Sequence, residues 1–466
     1  MLPAAGPGAA GPEVTPKPGP LAPAPFRLDR QTGPQEEVTM ERLTPLSYAF
    51  LAAEDVDPKA CLVIGSLAVL DGPAPRIDEL RTVVASRLPT VPRYQQRIVP
   101  GRFGLRAPSW QAAADLDLRR HVTVRRVPAP GGRSEVASLM AEAMAERMDR
   151  DRPLWDVTVC DGLADGRWGV LSRVHHTLAD GVSGTGLYRV VFDSEAAADE
   201  PPPTPPGTAP GVTGRSLVAA ARGALALGTA LLPVTREGLL GPLDGTRRYA
   251  WTEVDIAETA VVRRELGVTV NDLVLSAISG GLRELLLERG RQPDAHALRT
   301  LLPVSSRAPG TAGLPGNQVT LMLSMLPVEH DDPVERVLQV HERVASLRRA
   351  HEPEAGVVLQ ALAGLLPFPV LDRGLRWGLR LPQQQISTVT TNVPGPRTPL
   401  TCLGRPVRQL LPVVPIADRV RLGFAVLSYC DRLAFGITAD GSSTPDADVL
   451  AAKIADAWRS VLARTE

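Results

Sequence analysis

The chain has 466 residues, enough for two or more domains or for one large two-lobed unit. Its 51 lysines and arginines balance its 51 aspartates and glutamates, which argues against the basic footprint of a nucleic-acid-binding protein. There is no secretory signal pattern, and no stretch reaches the roughly 18 uninterrupted apolar residues of a membrane-spanning helix. We therefore expect a cytoplasmic protein with a substantial core.

The composition along the chain predicts four parts. Residues 1–37 are rich in proline, alanine and glycine, and we expect a disordered tail there. A first lobe follows over 38–197, a proline-rich linker with a connecting helix over 198–250, and a second lobe over 251–466. Mixed helices and strands in both lobes indicate an α/β fold. Within the linker, residues 216–232 favour an amphipathic helix packed on the protein over one lying on a membrane.

Apolar spacing predicts the main elements in chain order. Helical periodicity covers residues 76–88, 134–148 with Ser134 as N-cap, and 272–288. Further helix starts are indicated at Asp332-Pro333 and at Thr444-Pro445. The apolar run 168–174 predicts a buried strand, and alternation over 419–440 predicts two paired strands.

The segment from His175 to Gly181 has the pattern His-His-x-x-x-Asp-Gly and follows the predicted strand 168–174 directly. A neutral imidazole at that point can accept a proton from a hydroxyl near pH 7. His176 and Asp180 could also bind a metal, but the remaining histidines supply no ligand set. A nucleophilic serine is disfavoured, because residues 181–185 fail the Gly-x-Ser-x-Gly pattern at the last position. Direct attack by a substrate group, with a histidine as base, is the favoured chemistry.

Other short motifs accompany this segment in a fixed order. They are Arg42-Leu43-Thr44-Pro45-Leu46, Asp149-Arg150-Asp151-Arg152-Pro153-Leu154-Trp155, Val270-Asn271-Asp272-Leu273-Val274-Leu275, Gly316-Asn317 and Thr391-Asn392-Val393-Pro394-Gly395-Pro396. In these motifs, from about Met40 to its C-terminus, the chain resembles the bacterial wax ester synthase/diacylglycerol acyltransferase family. That family belongs to the superfamily of chloramphenicol acetyltransferase and condensation domains.

The resemblance implies two chloramphenicol acetyltransferase-like α/β sandwich lobes with a substrate tunnel between them. It implies acyl transfer from long-chain acyl-CoA to diacylglycerol, giving triacylglycerol, or to a long-chain alcohol, giving a wax ester. Acyl-CoA is then a substrate, and no metal or other cofactor is expected. Because the substrates are lipids, we also expect peripheral contact with the inner face of the membrane or with lipid droplets.

The resemblance also assigns roles within the histidine motif. His176 is the expected catalytic base, and His175 is a neighbour that shapes the site. Asp180 is expected to hold the loop by ion pairing and hydrogen bonding. Gly181 is expected to permit the backbone turn, since glycine adopts conformations closed to other residues.

Outside that motif, Asn271 is expected near the site and is a candidate oxyanion donor, with Asp272 helping to fix it. Either residue can instead be an ordinary helix cap. Trp155, Thr391 and Asn392 are expected to line the substrate site, although a tryptophan such as Trp155 is more often a core residue. The family usually has serine where this chain has Thr391. The hydroxyl is kept, and the extra methyl is expected to alter the shape of the pocket.

Three alternative functions stay open at the level of sequence. A condensation-type enzyme would acylate an amine on a carrier protein, which the Pro-Leu-Trp and Asn-Val-Pro-Gly-Pro blocks disfavour. An acyltransferase could esterify a polyketide or glycolipid alcohol instead. A non-catalytic lipid-binding protein would bind acyl chains without turnover, which the intact histidine motif disfavours.

Overall fold

The computed structural model describes residues 41–178, 185–193, 239–305, 319–349 and 363–464. Asp180 and Gly181 lie outside these ranges. The predicted tail, the 216–232 helix and the Gly316-Asn317 block also lie outside the described residues.

Helices and strands alternate along the chain, as the sequence predicts. The helices are α1 (Pro45–Val56), α2 (Ile77–Arg87), α3 (Arg133–Ala145), α4 (Thr185–Val191), α5 (Thr259–Leu266), α6 (Val270–Glu288), α7 (Pro333–Arg349), α8 (Phe368–Arg380) and α9 (Ala447–Ala463). The strands are β1 (Val63–Leu70), β2 (Gln96–Val99), β3 (Ser109–Ala112), β4 (Val122–Arg126), β5 (Trp155–Leu163), β6 (Arg167–His175), β7 (Arg247–Asp255), β8 (Arg299–Ser305), β9 (Val319–Met325), β10 (Thr388–Val393), β11 (Thr401–Cys402), β12 (Arg405–Val413), β13 (Leu422–Tyr429) and β14 (Arg432–Asp440).

Two six-stranded sheets organise the fold, which confirms the predicted α/β class. The first has the strand order β11-β12-β1-β6-β5-β4, and the second has the order β7-β14-β13-β10-β8-β9. Strand β6 lies inside the first sheet between β1 and β5 and is buried along almost its whole length, as its apolar run predicts. The predicted pair of strands over 419–440 is the antiparallel hairpin β13–β14, which closes at Tyr429 and Arg432.

The first sheet is completed by strands from the second half of the chain. After β10 in the second sheet, the chain crosses back, and β12 pairs with β1, with Gly65 opposite Val413 and Leu67 opposite Leu411. Strand β7 begins at Arg247, before residue 251, and packs against α3, where the Arg133 guanidinium lies 4.1 Å from the Trp251 ring centroid. The two halves of the chain are therefore joined by paired strands as well as by side-chain packing.

Helix starts follow the predicted patterns with two corrections. Asp332 caps α7 as predicted, since its Oδ1 accepts from the backbone N–H groups of Val334 and Glu335 at 2.9 and 3.0 Å. The prediction of Ser134 as N-cap of α3 was wrong, because Gly132 holds that position and Ser134 lies in the first turn. The last helix begins at Ala447 with Asp446 as N-cap, rather than at the predicted Thr444-Pro445.

Candidate active site

The two histidines of the motif occupy a turn that is anchored to both neighbouring strands. His175 ends β6, and its backbone N–H donates to the Leu154 carbonyl at 3.0 Å. The His176 N–H donates to the Leu62 carbonyl at 2.8 Å, and the Leu178 N–H closes the turn on the His175 carbonyl at 2.9 Å. Because these backbone groups are paired, the positions of both imidazoles relative to the sheet are set by the strands.

The His175 ring is enclosed, with 1% of the residue exposed. Its Nδ1 accepts a hydrogen bond from the Thr177 backbone N–H at 3.1 Å. A nitrogen that accepts carries no proton, so in the neutral ring the proton sits on Nε2. That Nε2 lies 3.3 Å from Oε1 of Glu54, in helix α1.

Glu54 is a buried carboxylate beneath the histidine turn, 2% exposed. Its Oε1 also accepts from the Leu62 backbone N–H at 2.7 Å, and its Oε2 accepts from Nη2 of Arg150 at 3.0 Å. Burial by itself raises the pKa of Glu54, but the interaction of its carboxylate with the His175 imidazole outweighs this, with help from the Leu62 N–H and Arg150. The pKa of Glu54 is held at about 2, so the carboxylate is ionised at neutral pH.

His176 differs from its neighbour because the residue as a whole is only half-buried, although its Nδ1 is buried. The imidazole packs on the Phe50 ring of α1, with the centroids 4.2 Å apart and the planes 30° from parallel. The next residue also contacts α1, since the Thr177 hydroxyl donates to the Ser47 carbonyl at 3.0 Å. Helix α1 thus forms one wall of the histidine turn and contacts three consecutive residues of it.

A buried ion pair also holds the end of β6. Nε of Arg173 donates to Oδ1 of Asp156 at 2.9 Å, and Nη2 donates to Oδ2 at 2.7 Å. The same guanidinium donates to the Ala143 carbonyl at the end of α3. A two-point pair of this kind fixes orientation as well as distance, so the strand that carries His175 is tied to β5 and to α3.

A second polar cluster lies in the other sheet, where the structure brings two predicted site residues together. Nδ2 of Asn392, in β10, donates to Oδ1 of Asn271, in the first turn of α6, at 3.3 Å. Thr269 is the N-cap of α6, and Asp272 completes a capping box with it. Asp272 is therefore part of the helix cap, which is the alternative role that the sequence allowed for it. The Asn271 side chain instead contacts Asn392.

Trp155 lies in the core of the first lobe, with 1% of the residue exposed. Its indole N–H donates to the Tyr94 carbonyl at 2.7 Å, and its ring stacks on His121 with centroids 4.5 Å apart. Burial lowers the pKa of His121 to about 4, so that ring is neutral. With its ring packed and its single polar atom bonded to backbone, Trp155 has the position of a core residue rather than of a substrate contact.

Thr391 and Asn392 are half-buried in β10, opposite Ala425 and Val426 of β13. The adjacent Thr390 hydroxyl is 2.9 Å from that of Thr300 inside the sheet. Because successive side chains of a strand point to opposite faces, Thr391 points away from that buried pair.

Glu54, Phe50 and Arg150 are not among the functional residues that the sequence predicts. Arg150 lies in a quoted motif, but no role was inferred for it. Glu54 had a detectable signal, because Ser47, Leu51 and Glu54 are spaced to share one face of α1, and all three are buried. A lone carboxylate on an apolar helix face indicates a buried partner.

Within the described ranges, no group of three or more His, Cys, Asp or Glu side chains is arranged to hold a metal ion. Across the same residues, no helix combines the length and apolar character that a bilayer crossing requires.

Comparison with protein families gives two matches along the chain. Residues 43–234 match the wax ester synthase/diacylglycerol acyltransferase catalytic domain, and residues 315–461 match the WS/DGAT C-terminal domain.

Individual relatives agree with these matches. The chain is 39% identical over 446 residues to the probable diacylglycerol O-acyltransferase tgs1 of Mycobacterium tuberculosis H37Rv, which covers 91% of this chain and 96% of the relative. It is 34% identical over 418 residues to the putative diacylglycerol O-acyltransferase Rv3371 of the same organism, covering 86% of each.

Solved structures share the fold. The wax ester synthase/diacylglycerol acyltransferase of Marinobacter aquaeolei VT8 superposes with a TM-score of 0.66 at 25% identity, covering 91% of this chain and all of that one. The starter condensation domain of rhizomide synthetase RzmA, solved with C8-CoA, gives a TM-score of 0.58 at 15% identity, covering 92% and 95%. The second likeness supports the fold alone, and it agrees with the predicted chloramphenicol acetyltransferase-like architecture.

Proposed function

The chain belongs to the wax ester synthase/diacylglycerol acyltransferase family, and we propose that His176 is the general base of its acyl transfer. The protein is an acyl-CoA-dependent O-acyltransferase that acts on diacylglycerol or a long-chain alcohol. We propose long-chain acyl-CoA as the donor, as the sequence resemblance implies.

The observation that carries this proposal is the unequal enclosure of the two histidines. His175 is closed in, with Nδ1 accepting from the Thr177 N–H and Nε2 facing Glu54. His176 is half-buried at the end of the same strand and packs one ring face on Phe50. A base must reach the proton that it removes, so the more accessible ring is the better candidate.

The proposed reaction begins with the acceptor hydroxyl hydrogen-bonded to the His176 imidazole. As the imidazole takes the proton, the acceptor oxygen bonds to the thioester carbonyl carbon and the carbonyl oxygen becomes an oxyanion. When that intermediate collapses, the carbon–sulfur bond breaks and the imidazolium returns its proton to the departing CoA sulfur. The products are the ester and free CoA, and the reaction as proposed requires no metal or redox cofactor.

We assign positioning roles to the residues around the base. Glu54 holds His175 in one tautomer, and the backbone hydrogen bonds of the turn then fix His176. Asn271 is our candidate oxyanion donor, because the bond from Asn392 occupies its carbonyl oxygen and leaves its own N–H groups to donate elsewhere. For Asp180 we propose, as predicted, that it holds the loop, and for Gly181 that it permits the backbone turn. Thr391 is proposed to line the substrate site.

We propose diacylglycerol and long-chain alcohols as acceptors, drawn from a membrane or lipid-droplet surface that the protein contacts peripherally. The test is incubation of the purified full chain with palmitoyl-CoA and, in parallel, diacylglycerol, monoacylglycerol, hexadecanol and hexadecylamine. Released CoA and the labelled product are measured in each reaction.

We expect ester products with diacylglycerol, with hexadecanol or with both, and we expect them to be lost in His176→Ala. Amide formation as the main reaction would overturn the proposal in favour of a condensation-type enzyme. Tight binding of palmitoyl-CoA without product on any acceptor would favour a lipid-binding protein instead.

A further inference from the structure

Helix α8 carries a surface that the proposed chemistry does not use. None of its residues is buried, although apolar side chains make up much of it. Trp377 is 65% exposed and Val370 is 54% exposed, and Leu366 and Leu381 at its two ends are about half exposed. Large apolar side chains exposed together on one element indicate an interaction surface rather than ordinary surface variation.

Two of these residues, Val370 and Trp377, lie within the helix about 20° apart at 3.6 residues per turn, so they share one side of it. Leu366 precedes the helix and Leu381 is its C-cap. We call these four exposed residues the outer stripe. An amphipathic helix on a globular protein ordinarily turns such a stripe towards the core, and here the apolar stripe faces solvent.

The opposite side of α8 attaches it to the protein through helix α1, by polar contacts of Arg376 and Asp372 and by the Phe368 ring. Nη2 of Arg376 donates to Oδ2 of Asp55 at 2.8 Å and to the Tyr48 hydroxyl at 3.1 Å. The Tyr48 hydroxyl in turn donates to Asp372, and the Tyr48 and Phe368 rings meet edge to face with centroids 4.9 Å apart. Because polar and ionic contacts fix the inner side, the outward direction of the outer stripe is determined by the structure.

The charge around the outer stripe is positive. Arg373 and Arg380 are exposed and lie along one border of it. The acidic residue of the helix, Asp372, is turned inward, where Nε of Arg376 donates to it at 2.5 Å. A stripe with tryptophan and leucine beside arginines matches the chemistry of a helix lying in an anionic lipid interface. The indole can sit at the boundary, and the arginines can reach the headgroups.

We propose that α8 docks this protein on an anionic lipid surface, with the outer stripe inserted among the acyl chains and Arg373 and Arg380 on the headgroups. The inference deepens the proposed function, because a lipid acceptor has to be taken from such a surface. Helix α1, to which α8 is attached, also carries Phe50 and Glu54 at the histidine turn. The docked surface would therefore lie one helix away from the proposed base.

The test is vesicle flotation of the purified full chain, with vesicles of phosphatidylcholine alone or mixed with phosphatidylglycerol. The stripe variant is Trp377→Glu. The matched control is Leu338→Glu, which places the same charge on an apolar side chain of α7 that is 43% exposed. The charge variant is Arg373→Gln with Arg380→Gln. Thermal unfolding of each variant checks that the fold is kept.

We expect the wild type and Leu338→Glu to float with phosphatidylglycerol vesicles and the stripe variant to lose most of that binding. Removal of the two arginines should weaken binding to anionic vesicles by about fivefold for each charge while leaving binding to neutral vesicles unchanged. Flotation of the stripe variant equal to that of wild type would overturn the assignment of α8. A failure of the wild type to bind either vesicle would overturn docking altogether.

Two further measurements separate this proposal from its alternatives. If analytical ultracentrifugation shows a dimer that the stripe variant dissociates, and vesicle binding is unaffected, the stripe is covered by a second copy and the lipid proposal is wrong. Turnover of hexanoyl-CoA with butanol, both water-soluble, should be equal in the wild type and the stripe variant. If neither protein turns over these substrates, the proposed catalysis is contradicted. The flotation result still tests lipid docking, because it does not depend on turnover.

Discussion

The histidine turn and the asparagine pair are the two polar clusters to which we assign chemistry, and they are built differently. The turn is fixed by several independent contacts, namely backbone bonds to two strands and the buried Glu54 carboxylate. The pair rests on one side-chain bond of 3.3 Å between Asn392 and Asn271. We infer that the base is placed rigidly, whereas the candidate oxyanion donor depends on a single partner for its orientation.

The largest expected effect is that of removing the base. His176→Ala should lower kcat by roughly 10²–10⁴-fold, because the acceptor proton then has no positioned acceptor. Stability should change little, since the residue is only half-buried. The measurement is CoA release with palmitoyl-CoA and the preferred acceptor, with His296→Ala at an exposed histidine as the control. Near-normal ester formation by His176→Ala would show that His176 is not the catalytic base.

Substitutions in the asparagine pair should lower kcat by less, and by different amounts for the two residues. If Asn271 donates to the oxyanion, Asn271→Ala should lower kcat by about 10²–10³-fold. Asn392→Ala keeps the donor and removes only its partner, so we expect a smaller loss, in kcat rather than in KM. Steady-state kinetics of the two variants provide the comparison. Equal losses in both, or none in Asn271→Ala, would contradict the assigned order of roles.

The support of the turn can be tested through pH. The pKa of Glu54 is lowered from an ordinary 4.5 to about 2, so the folded state favours the ionised form. The resulting stabilisation, about 3 kcal/mol, is fully present above the unfolded pKa and is lost as the pH falls from about 4.5 towards 2. Urea unfolding of the wild type and Glu54→Gln should therefore differ by about that amount at pH 7 and converge in acid.

Glu142→Gln is the matched control for this series, because the Glu142 side chain is exposed and its pairing with Arg125 lies at the surface. We expect that variant to follow the wild type across the whole pH range. A constant gap between wild type and Glu54→Gln down to pH 2 would mean that the ionised carboxylate does not support the turn.

The smallest expected effect concerns pocket shape. Thr391→Ser restores the residue usual in the family and removes one methyl from a half-buried position beside Asn392. A buried methyl is worth about 0.8 kcal/mol, so the preference between two acyl chain lengths or two acceptors should shift by about fourfold at most. Competition assays with mixed acyl-CoA substrates measure this ratio. An unchanged ratio would place Thr391 away from the substrate.

Short-range patterns account for much of the site. The apolar run before His175 correctly predicts buried strand β6, and the alternation after residue 419 correctly predicts the β13–β14 hairpin. Helix α6 was predicted from apolar spacing, but its N-cap is Thr269, one turn before the predicted start. These features depend on neighbours within a few residues, and their local physics is visible in the sequence.

Other features depend on partners that are distant in sequence. Strand β12 completes the first sheet although it follows β10 of the second, and no local signal marks this crossover. The Ser134 cap failed because Gly132 and Glu135 form the helix start instead. The core position of Trp155 follows from Tyr94 and His121, which reach it from other elements.

The sequence alone is sufficient to identify the family, the α/β class and the histidine pair, because motif order and local periodicity are properties of the chain itself. Tertiary structure decides which histidine is enclosed, because Glu54 and Phe50 reach the turn from α1, far away in sequence. It also decides that the apolar stripe of α8 faces outward, since that direction is set by ion pairs with α1. The burial of a side chain and its contact partners result from packing between distant segments, so the periodicity of one segment does not predict them.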